Sequence, residues 1–107
     1  MKKPPKYNDA TPVIFRMLGK EVIAIFPTIP GDRNVNTCQS YMHVGQHGSC
    51  TIHIGDMCRL ATPREYMPLK KELTALGYRL RVIKRIAPCH RDMRIAELNK
   101  MERNSHE

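Results

Sequence analysis

Residues 13–26, VIFRMLGKEVIAIF, decide the fold. Two β-prone runs, 13–18 and 21–26, flank Gly19-Lys20, and glycine in the first place of a two-residue loop suits a type II′ hairpin. In that register Met17 faces Val22, Phe15 faces Ala24 and Val13 faces Phe26, which leaves one face wholly apolar. The other face carries Ile14, Arg16, Glu21, Ile23 and Ile25. A lone hairpin is marginal in water, so the rest of the chain must cover the apolar face.

Downstream, residues 27–34 hold two prolines, a glycine and an Asp-Arg-Asn cluster, and read as a loop. Residues 37–44 read as a strand with Cys38, Ser40, Met42 and Val44 on one side and Gln39, Tyr41 and His43 on the other. Gly45-Gln46-His47-Gly48 reads as a turn that lifts His47 outward. Cys50, Ile52 and Ile54 alternate as in a short strand, and residues 57–60 suggest one more edge strand. Thr62-Pro63-Arg64-Glu65 is a capping box with proline at the first helical position. Tyr66, Leu69, Leu73 and Leu76 follow at helical spacing, and Gly77 is placed to stop the helix; Pro68 predicts a kink or restart. Residues 78–86 read as a strand with Tyr78, Leu80, Val82 and Ile86 opposite Arg79, Arg81 and Arg85, and residues 90–103 as a helix with Met93, Ala96 or Glu97, and Met101 near its inner side. These elements predict an α+β domain over residues 13–88. A small antiparallel sheet packs one face on one main helix, preceded by a flexible basic arm at residues 1–12 and followed by a helical tail at 89–107.

The 107 residues leave room for one domain, with 18 Lys and Arg against 10 Asp and Glu giving a net charge of +8. The charge is segregated. Residues 1–20 hold five bases and one acid, residues 21–58 one base and three acids, and residues 59–107 twelve bases and six acids. Surplus positive charge points to an anionic partner. The N-terminus lacks the apolar core of a signal peptide and no segment reaches membrane-spanning length, which predicts a cytoplasmic protein whose cysteines are free thiols or metal ligands rather than disulfides.

Three constellations carry candidate chemistry. Arg79, Arg81 and Arg85 at alternate strand positions would form a ridge that Lys70 and Lys71 extend, suited to phosphate or carboxylate contacts. His43 and His47, beside Tyr41, could act as an acid-base pair in metal-independent RNA cleavage. Finally, Cys38, His43, His47, Cys50, His53 and Cys58 crowd six zinc-capable ligands into 21 residues, with Cys38, His47, Cys50, His53 and Cys58 the set to test. Their spacing matches no paired zinc signature, and strand alternation separates Cys38 from His43, so no cofactor is expected and zinc is the alternative. Cys89 and His90 are sequence neighbours without a third orienting group, and Cys89 reads as a surface thiol.

EVIAIFPTIPGD at 21–32, SYMHVGQHG at 40–48 and TPREYMPLKKELTALGYRLRVIKR at 62–85 together resemble a group of short uncharacterised proteins of bacterial phages and other mobile elements. The resemblance runs from Val13 to Arg85, and Tyr41, His43, Gly45, Gln46 and His47 form its most distinctive part. It implies no activity. It does not extend to Cys50, His53 and Cys58, which weighs against zinc, and it implies a modulator directed at a host enzyme or nucleic-acid complex. The expectation is therefore a non-catalytic binding protein for nucleic acid or an acidic host protein surface, with the His43/His47 enzyme and the zinc module as alternatives.

Overall fold

The computed structural model describes residues 10–43 and 46–105; the expected arm up to residue 9 lies outside them, as do Val44 and Gly45 of the expected strand and turn. Five strands form one sheet in the order β4-β3-β2-β1-β5. In chain order these are β1 (Thr11–Leu18), β2 (Glu21–Pro30), β3 (Thr37–Met42), β4 (Gln46–Thr51) and β5 (Leu80–Val82), with helices α1 (Pro63–Ala75) and α2 (Pro88–Ser105) and a 3-10 helix at Ile52–Asp56. The fold is α+β and the sheet mostly antiparallel.

The hairpin has the expected register, with Phe15 opposite Ala24 and Met17 opposite Val22, and Gly19 takes the positive φ of 66° that its two-residue loop needs. β1 starts at Thr11, two residues inside the expected arm, because Thr11 to Val13 pair with β5. That pairing is parallel and only three residues long, so the expected antiparallel strand over 78–86 is corrected. The connection from the sheet through α1 returns the chain in the same direction as β1, which a parallel crossover requires. β2 runs on to Pro30, through prolines first read as loop. The register shifts between Phe26 and Pro30, so Pro27 is asked for no ladder donor.

Both faces of the sheet are covered, where one was expected. On the first, Val13, Phe15, Ala24, Phe26 and Tyr41 pack with Leu69 and Leu73 of α1, and Phe15 stacks on Tyr66 at 4.5 Å. Leu76, expected on this inner stripe, is exposed because the helix has already ended. The second face buries Ile14, Ile23, Ile25 and Cys38 under Ile54 and Cys58. Ile52 to Asp56 therefore close a lid in 3-10 form instead of extending a strand. Residues 57–60 give only a single bridge, Arg16 to Leu60. The expected turn at 45–48 is also corrected: His47 and Gly48 pair with Tyr41 and Ser40 inside β4.

The capping box forms as read. The Thr62 hydroxyl accepts from the Glu65 backbone N–H at 3.3 Å, and the Glu65 carboxylate accepts from the Thr62 N–H at 2.8 Å. The helix continues through Pro68 without a break, and Gly77, at φ 109°, ends it. The inner side of α2 is not the Met93 and Met101 stripe, since both are about half exposed. His90 and Arg94, one turn apart, are the buried residues. The reason lies in the irregular end of β2. The Pro27 carbonyl sits at the register shift and the Val35 carbonyl in the following loop, and Arg94 donates to them at 2.7 Å and 3.0 Å. A polar fork, rather than apolar burial, docks this helix.

Candidate functional site

Tyr41 and His43 project from the same side of β3, and Glu72 reaches them from α1. The Tyr41 hydroxyl donates to Glu72 Oε2 at 2.5 Å, and His43 Nδ1 lies 2.5 Å from Glu72 Oε1. Tyr41 is almost completely buried, and its hydroxyl positions Glu72; His43 stands open to solvent. His47, opposite Tyr41 on β4, packs edge-on against the Tyr41 ring at 4.7 Å between centroids. The sheet thus brings together all three members of the expected acid-base set, and a carboxylate that the sequence reading missed joins two of them, Tyr41 and His43.

Glu72 carried a detectable signal. Glu65, Leu69 and Glu72 recur at i, i+4 and i+7, so two acids flank an inward leucine on one helical face. In the structure that face opens onto a cleft of about 260 Å³ with His43 at its mouth, an apolar floor of Val22, Pro68 and Leu69, and carboxylates from Glu21, Glu65 and Glu72. Arg59 forks onto Glu65 at 2.9 Å and 2.6 Å. That guanidinium, with the Thr62 N–H, holds the Glu65 carboxyl down to about 2, so it stays charged. A Glu-oriented imidazole beside such a cleft can exchange a proton with a bound group. The acidic wall suits a neutral or cationic group better than a phosphodiester.

The expected basic ridge divides into two patches. Lys70 and Lys71 lie on the flank of α1 beside Met67 and Thr74, over the first sheet face. Leu80 and Val82 point to that face, so Arg81 points to the other, where its charge acts on His90 at the start of α2. Arg79 is in step with Arg81 just before β5, and its carbonyl accepts from Thr11 N–H at 2.7 Å. Arg85 follows in the loop, at the rim of a groove shared with Arg16 and Ile86 on the second face. Lys84 and Arg91, exposed nearby, join this patch. Burial first, then the charges of Arg81 and Arg94, push the His90 imidazole below its usual value, and its Nδ1 accepts from the Ala87 N–H at 2.9 Å. A neutral histidine amid arginines marks a positive field.

The residues of the zinc alternative do not converge. Cys38 and Cys50 face each other across β3 and β4 with their sulfurs 3.9 Å apart. His47 packs with Tyr41 on the opposite sheet face, Cys58 is buried in the apolar cluster that covers Cys38, and His53 is exposed on the 3-10 helix. Among the described residues no three His, Cys, Asp or Glu side chains come together as metal ligands would. Nor is any helix among them long and apolar enough to cross a membrane. Comparison of the chain with protein-family models, curated proteins and solved structures found no match.

Proposed function

We propose that the protein is a cytoplasmic, non-catalytic nucleic-acid-binding module whose contact surface is edge strand β5, the loop after it and the first turn of α2. One observation carries the reading: from Arg79 to Arg91 the chain exposes Arg79, Arg81, Lys84, Arg85 and Arg91 with no acid among them. A one-signed surface on an edge strand both repels other sheets and attracts a polyanion. Arginine in four of the five places favours forked contacts with phosphate oxygens. A host-directed role, as the resemblance to mobile-element proteins implies, would act through the same surface.

The test is the salt dependence of binding to a short duplex. Five phosphate contacts give a slope of about −4.5 in log K against log salt, so affinity should fall about 500-fold between 50 and 200 mM. The triple variant Arg79→Glu, Arg81→Glu, Arg85→Glu should abolish binding. A flat salt response, or binding that survives charge reversal, overturns the reading. Capture of an acidic protein from nuclease-treated lysate, with no binding to nucleic acid, would move the same surface to a protein partner.

A second reading rests on the His43–Glu72 contact: proton transfer at the cleft, the enzyme alternative, with the acidic wall of the cleft weighing against an RNA phosphodiester there. Incubating RNA with the protein in EDTA tests it in the same samples. Cleavage lost in His43→Ala and His47→Ala supports it, and no cleavage by the wild type removes ribonuclease chemistry.

A further inference from the structure

β3 and β4 carry a second pair of reactive groups on the face away from His43. Cys38 and Cys50 are direct cross-strand partners, and their sulfurs are 3.9 Å apart without a bond between them. Directly opposed residues in an antiparallel pair have Cα atoms about 4.5 or 5.5 Å apart, and both values fall inside the disulfide range of about 4.4–6.8 Å. Side-chain rotation can therefore bring the sulfurs to bonding distance without moving a strand. Their accessibilities differ in a useful way: Cys38 is fully buried, whereas Cys50 is half-buried.

A charged group stands behind the pair. Arg94 is completely buried, and its field reaches Cys38. Two of its nitrogens are committed to the Pro27 and Val35 carbonyls, but Nη2 has no hydrogen-bond partner among the described residues. A buried guanidinium nitrogen without an acceptor is costly, and its charge favours the thiolate of Cys38, the sulfur that must attack in the second step.

We infer that Cys38 and Cys50 form a peroxide-responsive dithiol, oxidised to a cross-strand disulfide with Cys50 as the attacking thiol and Cys38 as the resolving one. The Cys38 contact, assisted by the Ser40 hydroxyl and opposed by burial, pulls the Cys50 thiol below the ordinary cysteine range. The same contact and burial hold Cys38 up, against the pull of Arg94, so the accessible sulfur is the nucleophile. In the first step the Cys50 thiolate attacks one oxygen of hydrogen peroxide. The O–O bond breaks, hydroxide leaves to become water with the proton released from Cys50, and Cys50 becomes a sulfenic acid. In the second step Cys38 sulfur attacks Cys50 sulfur and the S–O bond breaks. The departing hydroxide takes the Cys38 proton and leaves as water. Two thiols have lost two electrons and one peroxide has become two waters. The product staples β4 to β3, three ladder positions from the Tyr41–His47 pair, and does not depend on the nucleic-acid reading.

The experiment uses the full chain carrying Cys89→Ser, which removes the exposed thiol and leaves the pair intact. One equivalent of hydrogen peroxide is added to reduced protein, remaining thiols are alkylated, and a non-reducing digest is read by mass spectrometry. The expected result is loss of two hydrogens, one surviving thiol at Cys58, and a peptide linking Cys38 to Cys50. The oxidised protein should melt roughly 10 °C higher, because the bridge constrains the unfolded chain. In a Cys38→Ser background dimedone should trap sulfenic acid at Cys50 with no intramolecular bridge. Three intact thiols after peroxide, a bridge between molecules, or a bridge to Cys58 overturns the proposal. Should Cys38→Ser fail to fold, the peptide map of the Cys89→Ser protein decides alone.

Discussion

Replacing Arg94 by methionine tests whether a polar fork rather than apolar contact docks α2. The substitution keeps the length of the stem and removes two charge-assisted hydrogen bonds, to the Pro27 and Val35 carbonyls. Such bonds contribute about 1.5–3 kcal/mol each, so about 3–6 kcal/mol is at stake. Methionine also relieves an unsatisfied buried donor, Nη2, which returns about 1–3 kcal/mol. The loss wins, because the Pro27 carbonyl at the register shift and the Val35 carbonyl in the loop have no strand partner to replace the guanidinium. The net destabilisation should be near 3 kcal/mol, or roughly 13 °C in melting temperature for a domain of 107 residues. Thermal unfolding followed by circular dichroism gives the number, and hydrogen exchange should show α2 amides losing protection ahead of β1 to β3. A methionine variant as stable as the wild type would refute the reasoning: desolvation of the charge would then outweigh its bonds, as it does for some buried ion pairs.

Two further outcomes follow from local geometry. The Glu65 carboxyl titrates at about 2 in the folded protein against an ordinary 4.5, so its stabilisation is complete above 4.5 and is lost as pH falls toward 2; the stability gap between wild type and Glu65→Gln should close over that window in urea titrations at stepped pH. A methyl group on Gly31 would lie 2.4 Å from Ser49 Oγ and 2.7 Å from the Cys38 carbonyl oxygen, so Gly31→Ala should cost about 1–3 kcal/mol in urea denaturation, whereas Gly48→Ala, with its nearest neighbour at 3.6 Å, serves as a near-neutral control.

The elements that could be read from the chain are those whose determinants are local. Met17 and Val22 are five residues apart, and Thr62 and Glu65 are three, so pattern and turn chemistry specify them. The parallel β5 could not be seen, because its partner is the far end of β1 and the alternation in 78–86 is the same for either direction. The inner side of α2 was misread for a physical reason too. Its core residue is an arginine whose acceptors are backbone carbonyls, and these leave no trace in side-chain periodicity. At the candidate site His43, His47 and Tyr41 could be picked out as a set, but the link between them could not. Glu72 comes from a helix 29 residues beyond His43, and only packing of α1 on the first sheet face brings it there.

The short β1–β5 ladder also sets an order of assembly. Thr11 and Leu80 are 69 residues apart, whereas β1 to β4 are each joined to the next by a short connection. Between a two-residue loop and one of that length lie about five doublings, or roughly 3 kcal/mol of extra closure entropy. The four-strand meander can therefore form first, and β5 closes onto it only after α1 has packed. The basic surface from Arg79 to Arg91 is built on the strand that arrives last and is held by the fewest pairs. It is thus the part of the protein that a ligand bound there would stabilise most.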